Sequence, residues 1–528
     1  MSSSTYEQDG ASVVAVPKSR PEKKLGFATL FAACLAVCVA EITIAMPTVL
    51  NGLFQSRLHA DGSEIAWITD ASLLPVTALA LTFGVLGDKF GRKRLLVLGA
   101  VALIAGHLVT ATAAGTAQLW TGRAIAGLGA AALFPTSLAV VAIGTRTGHE
   151  RARGVTLWAA SLAAGAALAP VISGISADNG SWKWAFVVVI VLSALSGVVS
   201  LFAADSRAPE GRSLDWPGQI TIAIGLFALM YAVIQGGTDG WGSTAVVAAF
   251  VIAAVFLALF VVVELRSPAP LLRLDVFRNR AFTVSAFVTV VGMFSFVATA
   301  YSTSIRLGPV QHQSPLLAAA AFVVLNGVTL VVAPLTSRLI EHVSPRWILS
   351  GGLLLTGAGD LWASTVSITD RSLGSLVGPL LAVGLGFALT VTSISAVAVN
   401  TVPVRLAGMA SGATSLLRDF GFTLGPAVIS AVALSRAAGD FTTSLAASAL
   451  PAHAKAAAAA VAKAGGPLAV NSAPPTAPHA GAVPLAVDAL GHGYSLGYLI
   501  SGIAAVVAAL LAAATLGRTI KPAAESGE

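Results

Sequence analysis

The chain has 528 residues, of which 56% are hydrophobic and only 10% charged, with a mean hydropathy of +0.84 and a formal net charge of +7. A soluble protein carries roughly a quarter charged residues, so this composition leaves too little polar surface to cover a globular fold and points to a membrane protein. The positive balance has to be located along the chain before it is read as affinity for a partner.

In chain order, the opening stretch MSSSTYEQDGASVVAVPKSRPEKK is polar and lacks an apolar core, so it reads as a disordered cytoplasmic tail over 1–25 rather than a cleavable signal peptide. A helix needs about 20 mostly apolar residues to cross the hydrocarbon. Fourteen such spans follow, near 26–50, 66–87, 95–114, 118–143, 153–175, 184–204, 217–235, 243–263, 282–304, 315–337, 346–367, 374–399, 412–435 and 494–517. They are long continuous apolar runs, unlike the alternating ten-residue strands of a barrel. Helices are also the form in which a segment satisfies its own backbone in lipid. Cys34 and Cys38 lie one turn apart in span 1 and read as small buried residues, with no disulfide framework.

Lysine and arginine in the connections set the orientation. With the N-terminus inside, 22 of the 31 cations fall on the inner side and seven on the outer, while Arg123 and Arg418 lie within spans. Both termini are therefore cytoplasmic, the net charge is an orientation signal, and a nucleic-acid partner drops out. The expected organisation is an all-α polytopic membrane fold. A six-helix bundle occupies 26–204, two inserted helices with flanking cytoplasmic loops occupy 205–281, and a second six-helix bundle occupies 282–517. That second bundle includes a long outer loop at 436–493, and a tail follows at 518–528. Within the loop, SLAASALPAHAKAAAAAVAKAGG can form a helix over the outer face or act as a flexible spacer.

Between spans 2 and 3 stands GVLGDKFGRK, which has the form G-x-L-x-D-[RK]-x-G-R-[RK] at Gly84, Leu86, Asp88, Lys89, Gly91, Arg92 and Lys93. Span 4 carries RAIAGLGAAALFPTS with Arg123, Gly127, Gly129 and Pro135, and span 5 carries GAALAPVISG with Gly165, Ala169, Pro170, Ser173 and Gly174. SWKWAF at 181–186, LDWPG at 214–218 and VPVRLAGMASGATSLLRDFGFTLGPAV at 402–428 complete the set. On these landmarks the chain resembles the major facilitator superfamily, and within it the fourteen-helix drug:proton antiporter branch. The resemblance implies two six-helix bundles plus two inserted helices in a bacterial cytoplasmic (inner) membrane, acting as a monomer. Three departures stand out: Ala126 replaces the usual glutamine, and Ala169 and Ser173 stand where glycines are common.

Charges inside spans cost at least a few kcal/mol at the bilayer centre unless paired or hydrated. Glu41 lies mid-span in CVAEITIAMP, Asp70 early in span 2, Arg123 in span 4, Asp360 in span 11, and Arg418 with Asp419 in span 13. Burial disfavours the charged form of a carboxylate, so an acid in a partly hydrated cavity can bind and release a proton near neutrality. These six residues are therefore the proton-coupling candidates. The resemblance implies this role for acids at the positions of Asp70 and Asp419 and a part in proton transfer for Arg123. Its customary span-1 acid falls at Cys38, nearly one turn before Glu41, a displacement of about 5 Å along the axis. Gly165, Ala169 and Ser173 recur every four residues and make one face of span 5 small, which permits close helix approach. Pro170 removes a hydrogen bond and allows a bend. Cys38, Glu41, Trp67, Phe134, Phe294 and Phe296 are the candidates for lining a substrate cavity. His107 reads as a packing residue.

The expected function is proton-driven export of amphipathic, cationic or neutral drug-like molecules by alternating access. A dedicated exporter of one metabolite, antibiotic or lipid, or a proton symporter, is the alternative. No GxxxxGK[ST] loop is present, and the eight histidines are scattered without an HExxH-type pair. The reading therefore includes no ATP, no metal and no cofactor beyond the proton gradient, and no enzyme chemistry. Its partners are a small amphipathic substrate, protons and the bilayer.

Overall fold

The computed structural model describes residues 26–143, 148–179, 181–207, 215–268, 270–272, 274–400 and 407–516. The tails predicted over 1–25 and 518–528 lie outside them. The described residues form α1 (Phe27–Ala45), α2 (Pro47–Leu58), α3 (Gly62–Phe90), α4 (Arg92–Ala111), α5 (Thr116–Ile143), α6 (Gly148–Asp178) and α7 (Lys183–Leu201). Then come α8 (Trp216–Asp239) and α9 (Thr244–Arg266), followed by α10 (Arg280–Ile305), α11 (Pro315–His342), α12 (Pro345–Thr365), α13 (Gly374–Asn400), α14 (Ala407–Ala447), α15 (Ala452–Asn471) and α16 (Val483–Thr515).

Local sequence sets several helix starts. Asp61 and Glu64 form a reciprocal capping box at α3: Glu64 N–H donates to Asp61 Oδ1 at 2.7 Å, and Asp61 N–H donates to Glu64 Oε2 at 3.0 Å. Asp215 caps α8, Ser243 caps α9, and Ser314 with Pro315 opens α11. Thirteen helices among the described residues are long and apolar enough to cross a membrane, α1 and α2 together making the first. The one predicted span outside these thirteen, span 11, is α12, a 21-residue helix that carries Arg346 and Asp360 and packs between α13 and α16. This is a fourteen-span fold.

The first bundle packs α1 against α5 and α6, α3 against α5, and α4 against α5 and α7. The second packs α10 against α14 and α16, α12 against α13 and α16, and α11 against α13. The halves meet along two seams, α6 with α11 and α3 with α14. The inserted pair pack on each other, and α8 also lies against both α3 and α14, so the insertion flanks one of those seams.

At the outer end, as the cation asymmetry orients it, the seam is shut. A Cβ on Gly52 would lie 2.9 Å from the backbone of Gly308, and one on Gly308 would lie 3.0 Å from the backbone of Gly52. Asn51 Nδ2 donates to Ser304 Oγ at 2.9 Å, and that hydroxyl donates to Thr48 O. The 436–493 stretch is mostly helical. α14 runs out to Ala447, α16 begins at Val483, and α15 lies between them with a break at Gly465 and Gly466. Gln55 Nε2 of the first half donates to Leu468 O (3.1 Å) and Ser472 Oγ (2.8 Å). Asn471 Nδ2 donates to Pro309 O (2.9 Å) and Val310 O (3.1 Å) of the second. The helix alternative for the alanine run is thus the observed one, and the segment straps both halves together.

Candidate functional site

Glu41 lies midway along the first membrane span, which α1 and α2 form together, and is half-buried. Gly165 of α6 packs against it. A Cβ there would lie 2.5 Å from Cys38 O and 2.9 Å from Glu41 Cβ, so only glycine lets α6 pass this close to the acid-bearing face of α1. One turn on, Ala169 is fully buried, and Ser173 Oγ donates to Met46 O at 3.1 Å, which fastens the same face. Gly174 turns to the other half, where a Cβ would meet Ala319 Cβ at 2.7 Å and Pro315 O at 3.0 Å. The small face of α6 therefore seats α1, and its end seats α11. Pro170 is buried inside the helix.

Across the seam, Arg418 Nε of α14 donates to Asp419 Oδ1 at 3.2 Å. These two side chains supply the charges that act on Glu41. The group contains two carboxylates and one guanidinium, so its fully ionised form carries one uncompensated negative charge. In a low-dielectric interior such a charge is costly. Either a proton or a cationic ligand relieves it. Asp419 O also accepts from Thr77 Oγ1 of α3 at 3.0 Å, and Thr77 bonds Thr423 Oγ1 at 2.8 Å, so the acid-bearing turn of α14 is tied to the first half.

The other charges occupy separate places. Asp70 is fully buried, with both carboxylate oxygens unpartnered, and it lies within electrostatic reach of Tyr301 on α10. Arg123 is fully buried and makes no ion pair among the described residues. Its guanidinium donates to Ile68 O (3.3 Å), Thr43 O (2.5 Å) and Ser72 Oγ (2.6 Å), clamping α5 to α1 and α3. His107, bonded to Thr43 Oγ1 at 3.0 Å, belongs to that packing unit. Asp360 is caged by hydroxyls within the second bundle, accepting from Ser501 Oγ at 2.6 Å and from Thr299 Oγ1. The structure thus places Arg418 and Asp419 within electrostatic reach of Glu41 and leaves Asp70, Arg123 and Asp360 in other surroundings.

The loop between α3 and α4 is a one-residue turn at Gly91, whose φ of 106° favours glycine. Arg92 donates to Asp88 and to Ser206 Oγ (3.2 Å), while Arg92 N–H donates to Ser206 O (3.1 Å), so the loop holds the end of the first bundle. Lys89 lies over the Phe90 ring, and Lys93 is half-buried. Gly84 stands within α3, facing Pro135 of α5, rather than in the turn.

Among the aromatic candidates, Phe296 stacks on Phe387 with centroids 3.7 Å apart, and Phe422 lies 6.4 Å from Phe387. Phe294 is buried, and Phe134 is half-buried against the first core. Trp67 packs on Phe227 and Tyr231 of α8 and donates to Gln235 Oε1 at 3.4 Å, so it serves the insertion rather than the central seam. Sequence reasoning missed Phe387, Phe422 and Tyr301. A lone aromatic in an apolar run carries no signal of which face it takes.

The sequence model of the Major Facilitator Superfamily matches residues 31–426. The chain belongs to that superfamily. Major facilitator proteins are transporters, so this is a multi-pass membrane transporter and not an enzyme. It is 28% identical over 520 residues to the tetracenomycin C resistance and export protein of Streptomyces glaucescens, covering 96% of this chain and 95% of that one. With the multidrug resistance protein Stp of Mycobacterium tuberculosis it shares 29% identity over 393 residues, 74% of this chain and 72% of the relative. With the methylenomycin A resistance protein of Bacillus subtilis it shares 24% over 404 residues, 76% and 86%. A solved transporter of the POT family in complex with 5-aminolevulinic acid superposes with a TM-score of 0.64 at 14% identity, over 92% of this chain and 96% of that one. A bacterial homologue of the lysosomal transporter Spinster, in an inward-facing and unoccupied conformation, gives 0.60 at 15%, over 92% and 95%. At those identities the solved structures speak for the major facilitator fold alone.

Proposed function

We propose that this major facilitator protein exports amphipathic, cationic or neutral drug-like molecules from a bacterial cytoplasm in exchange for protons, working as a monomer in the inner membrane. The observation that carries the reading is the Glu41–Arg418–Asp419 group, which is formed by both halves and left with one negative charge too many. A proton and a cationic substrate both satisfy it, and neither leaves room for the other. Exchange follows. With the site open to the acidic outside, a proton takes the charge and substrate leaves. With the site open to the cytoplasm, substrate takes the charge and the proton leaves. Rocking of the halves about the α6–α11 and α3–α14 seams alternates the access. The drug and antibiotic resistance relatives support the substrate class.

The test is uptake of ethidium into inverted membrane vesicles. Imposing an inside-acid proton gradient is expected to drive accumulation, and collapsing the gradient is expected to abolish it. Uptake that ignores the gradient contradicts proton exchange while leaving transport itself intact.

A further inference from the structure

A second pair of buried acids lies outside this site, where the inserted helices meet the cytoplasm. Asp215 caps α8: Gly218 N–H donates to its Oδ1 at 3.0 Å. Glu264, in the last turn of α9, accepts from Leu272 N–H through Oε2 at 2.8 Å. The two residues are only 6% and 4% exposed. Each therefore has one oxygen engaged by the backbone, and the other, Asp215 Oδ2 or Glu264 Oε1, is buried without a partner. The free oxygens converge on one glycine. A Cβ on Gly218 would lie 2.6 Å from Glu264 Oε1 and 3.0 Å from Asp215 Oδ2, so any other residue here would wedge the two acids apart.

No cation among the described residues pairs with either acid. Arg266 on α9, Lys89 on α3, Arg278 on the following 3-10 turn and Arg280 at the start of α10 are exposed, as is Asp275, while Asp88 is engaged by Arg92. Asp215 is the one charged side chain among the described residues that acts on Glu264. Two ionised carboxylates in a dry site repel each other, and one proton turns that repulsion into an O–H···O bond. A divalent cation such as calcium or magnesium would call for about six oxygen ligands, whereas two free oxygens meet here.

From this geometry we infer that Glu264 holds a proton at the cytoplasmic mouth of the insertion and donates it to Asp215, and that this bond fastens α8 to α9. The neighbouring residue carries the consequence. Gln219 Nε2 donates to Ala78 O at 2.5 Å, and its Oε1 accepts from Thr82 Oγ1. The start of α8 thereby grips the inner part of α3, two turns ahead of the Asp88–Arg92 loop. Loss of the proton to an alkaline cytoplasm pushes the acids apart and loosens that grip, so the inserted pair reports cytoplasmic pH to the inner gate.

Infrared difference spectroscopy tests this on the full-length protein in lipid nanodiscs. The wild type is expected to show a protonated-carboxyl band near neutral pH that disappears in both Glu264→Gln and Asp215→Asn and persists in Glu41→Gln. Both substitutions keep the backbone hydrogen bond and, for Asn, the helix cap. In inverted vesicles whose lumen is titrated in step to hold the proton gradient constant, transport by the wild type is expected to fall about threefold as the bath, which contacts the cytoplasmic face, is made alkaline, and to fall less in Glu264→Gln. A band that survives both substitutions overturns the inference. So does saturable Mg2+ or Ca2+ binding that is lost in Glu264→Gln. The infrared result is independent of whether the protein exchanges protons for substrate, so its failure is distinguishable from failure of the antiport reading.

Discussion

Gly165 and Glu41 touch: a Cβ on the glycine would lie 2.9 Å from the Cβ of the glutamate. The antiporter-type motif of α6 is thus the seat of the acid on α1, and the two features that the sequence presents separately are one piece of the site. Gly165→Val is expected to displace α1 at Cys38 and Glu41, at a cost of about 1–3 kcal/mol as overpacking, and to reduce proton-driven ethidium uptake at least tenfold. Surface expression and uptake, measured together, check it. A valine variant with full transport would mean that the close approach is dispensable.

Asp88 and Arg92 latch the α3–α4 turn to the end of the first bundle at Ser206. Asp88→Asn removes the charge and keeps the shape, so turnover is expected to fall roughly tenfold while the amount of protein in the membrane stays constant. Gly91→Ala forces a side chain into a backbone with φ of 106°, at a cost of about 1–3 kcal/mol, and is expected to lower the thermal midpoint of the purified protein as well. Comparing the two variants by melting and by vesicle transport separates a gating defect from a folding defect.

Arg123 spends its guanidinium on two carbonyls and a hydroxyl. A lysine cannot reach three such acceptors in a plane, so Arg123→Lys is expected to destabilise the protein by about 2–4 kcal/mol, read as a lowered melting temperature in detergent. The same variant, once stabilised by lipid, is expected to retain exchange of protons for substrate. Normal stability with lost exchange would instead place Arg123 in the proton path.

The strap is expected to open during transport, because Gln55 and Asn471 tie it to opposite halves. In a background with Cys34→Ser and Cys38→Ser, joining Gln55→Cys to Ser472→Cys is expected to stop ethidium uptake, and reduction is expected to restore it. Transport that continues with the bridge intact shows that the strap rides with the first half throughout the cycle.

Much of this architecture is legible in the residues themselves. Long apolar runs with charged breaks predict the spans, the cation asymmetry orients them, and the Gly84–Lys93 pattern locates the inner loop. The span carrying Arg346 and Asp360 is found by its neighbours and spacing, although its own hydropathy is diluted by those charges. The helix in the outer loop stays open in sequence because alanine runs suit both a helix and a spacer. What decides between them is packing: Ala454 and Ala458 of the run are buried, Ala458 within the main core. The same limit applies to the acids. Sequence shows that Glu41, Asp70, Asp360 and Asp419 are intramembrane, and only packing shows that Arg418 and Asp419 lie within electrostatic reach of Glu41 while Asp360 faces hydroxyls. Asp215 and Glu264 escape notice because each sits at a span end, where a charge is ordinary.

The central claim is that proton and substrate compete for the one unbalanced charge of Glu41, Arg418 and Asp419. Substrate-induced proton release from the purified protein in weakly buffered detergent solution tests it most directly. Adding ethidium to the wild type is expected to acidify the solution in a saturable way, Glu41→Gln is expected to release no proton, and Asp419→Asn is expected to release fewer than the wild type. Proton release from Glu41→Gln equal to that of the wild type, with ethidium bound, would contradict the account.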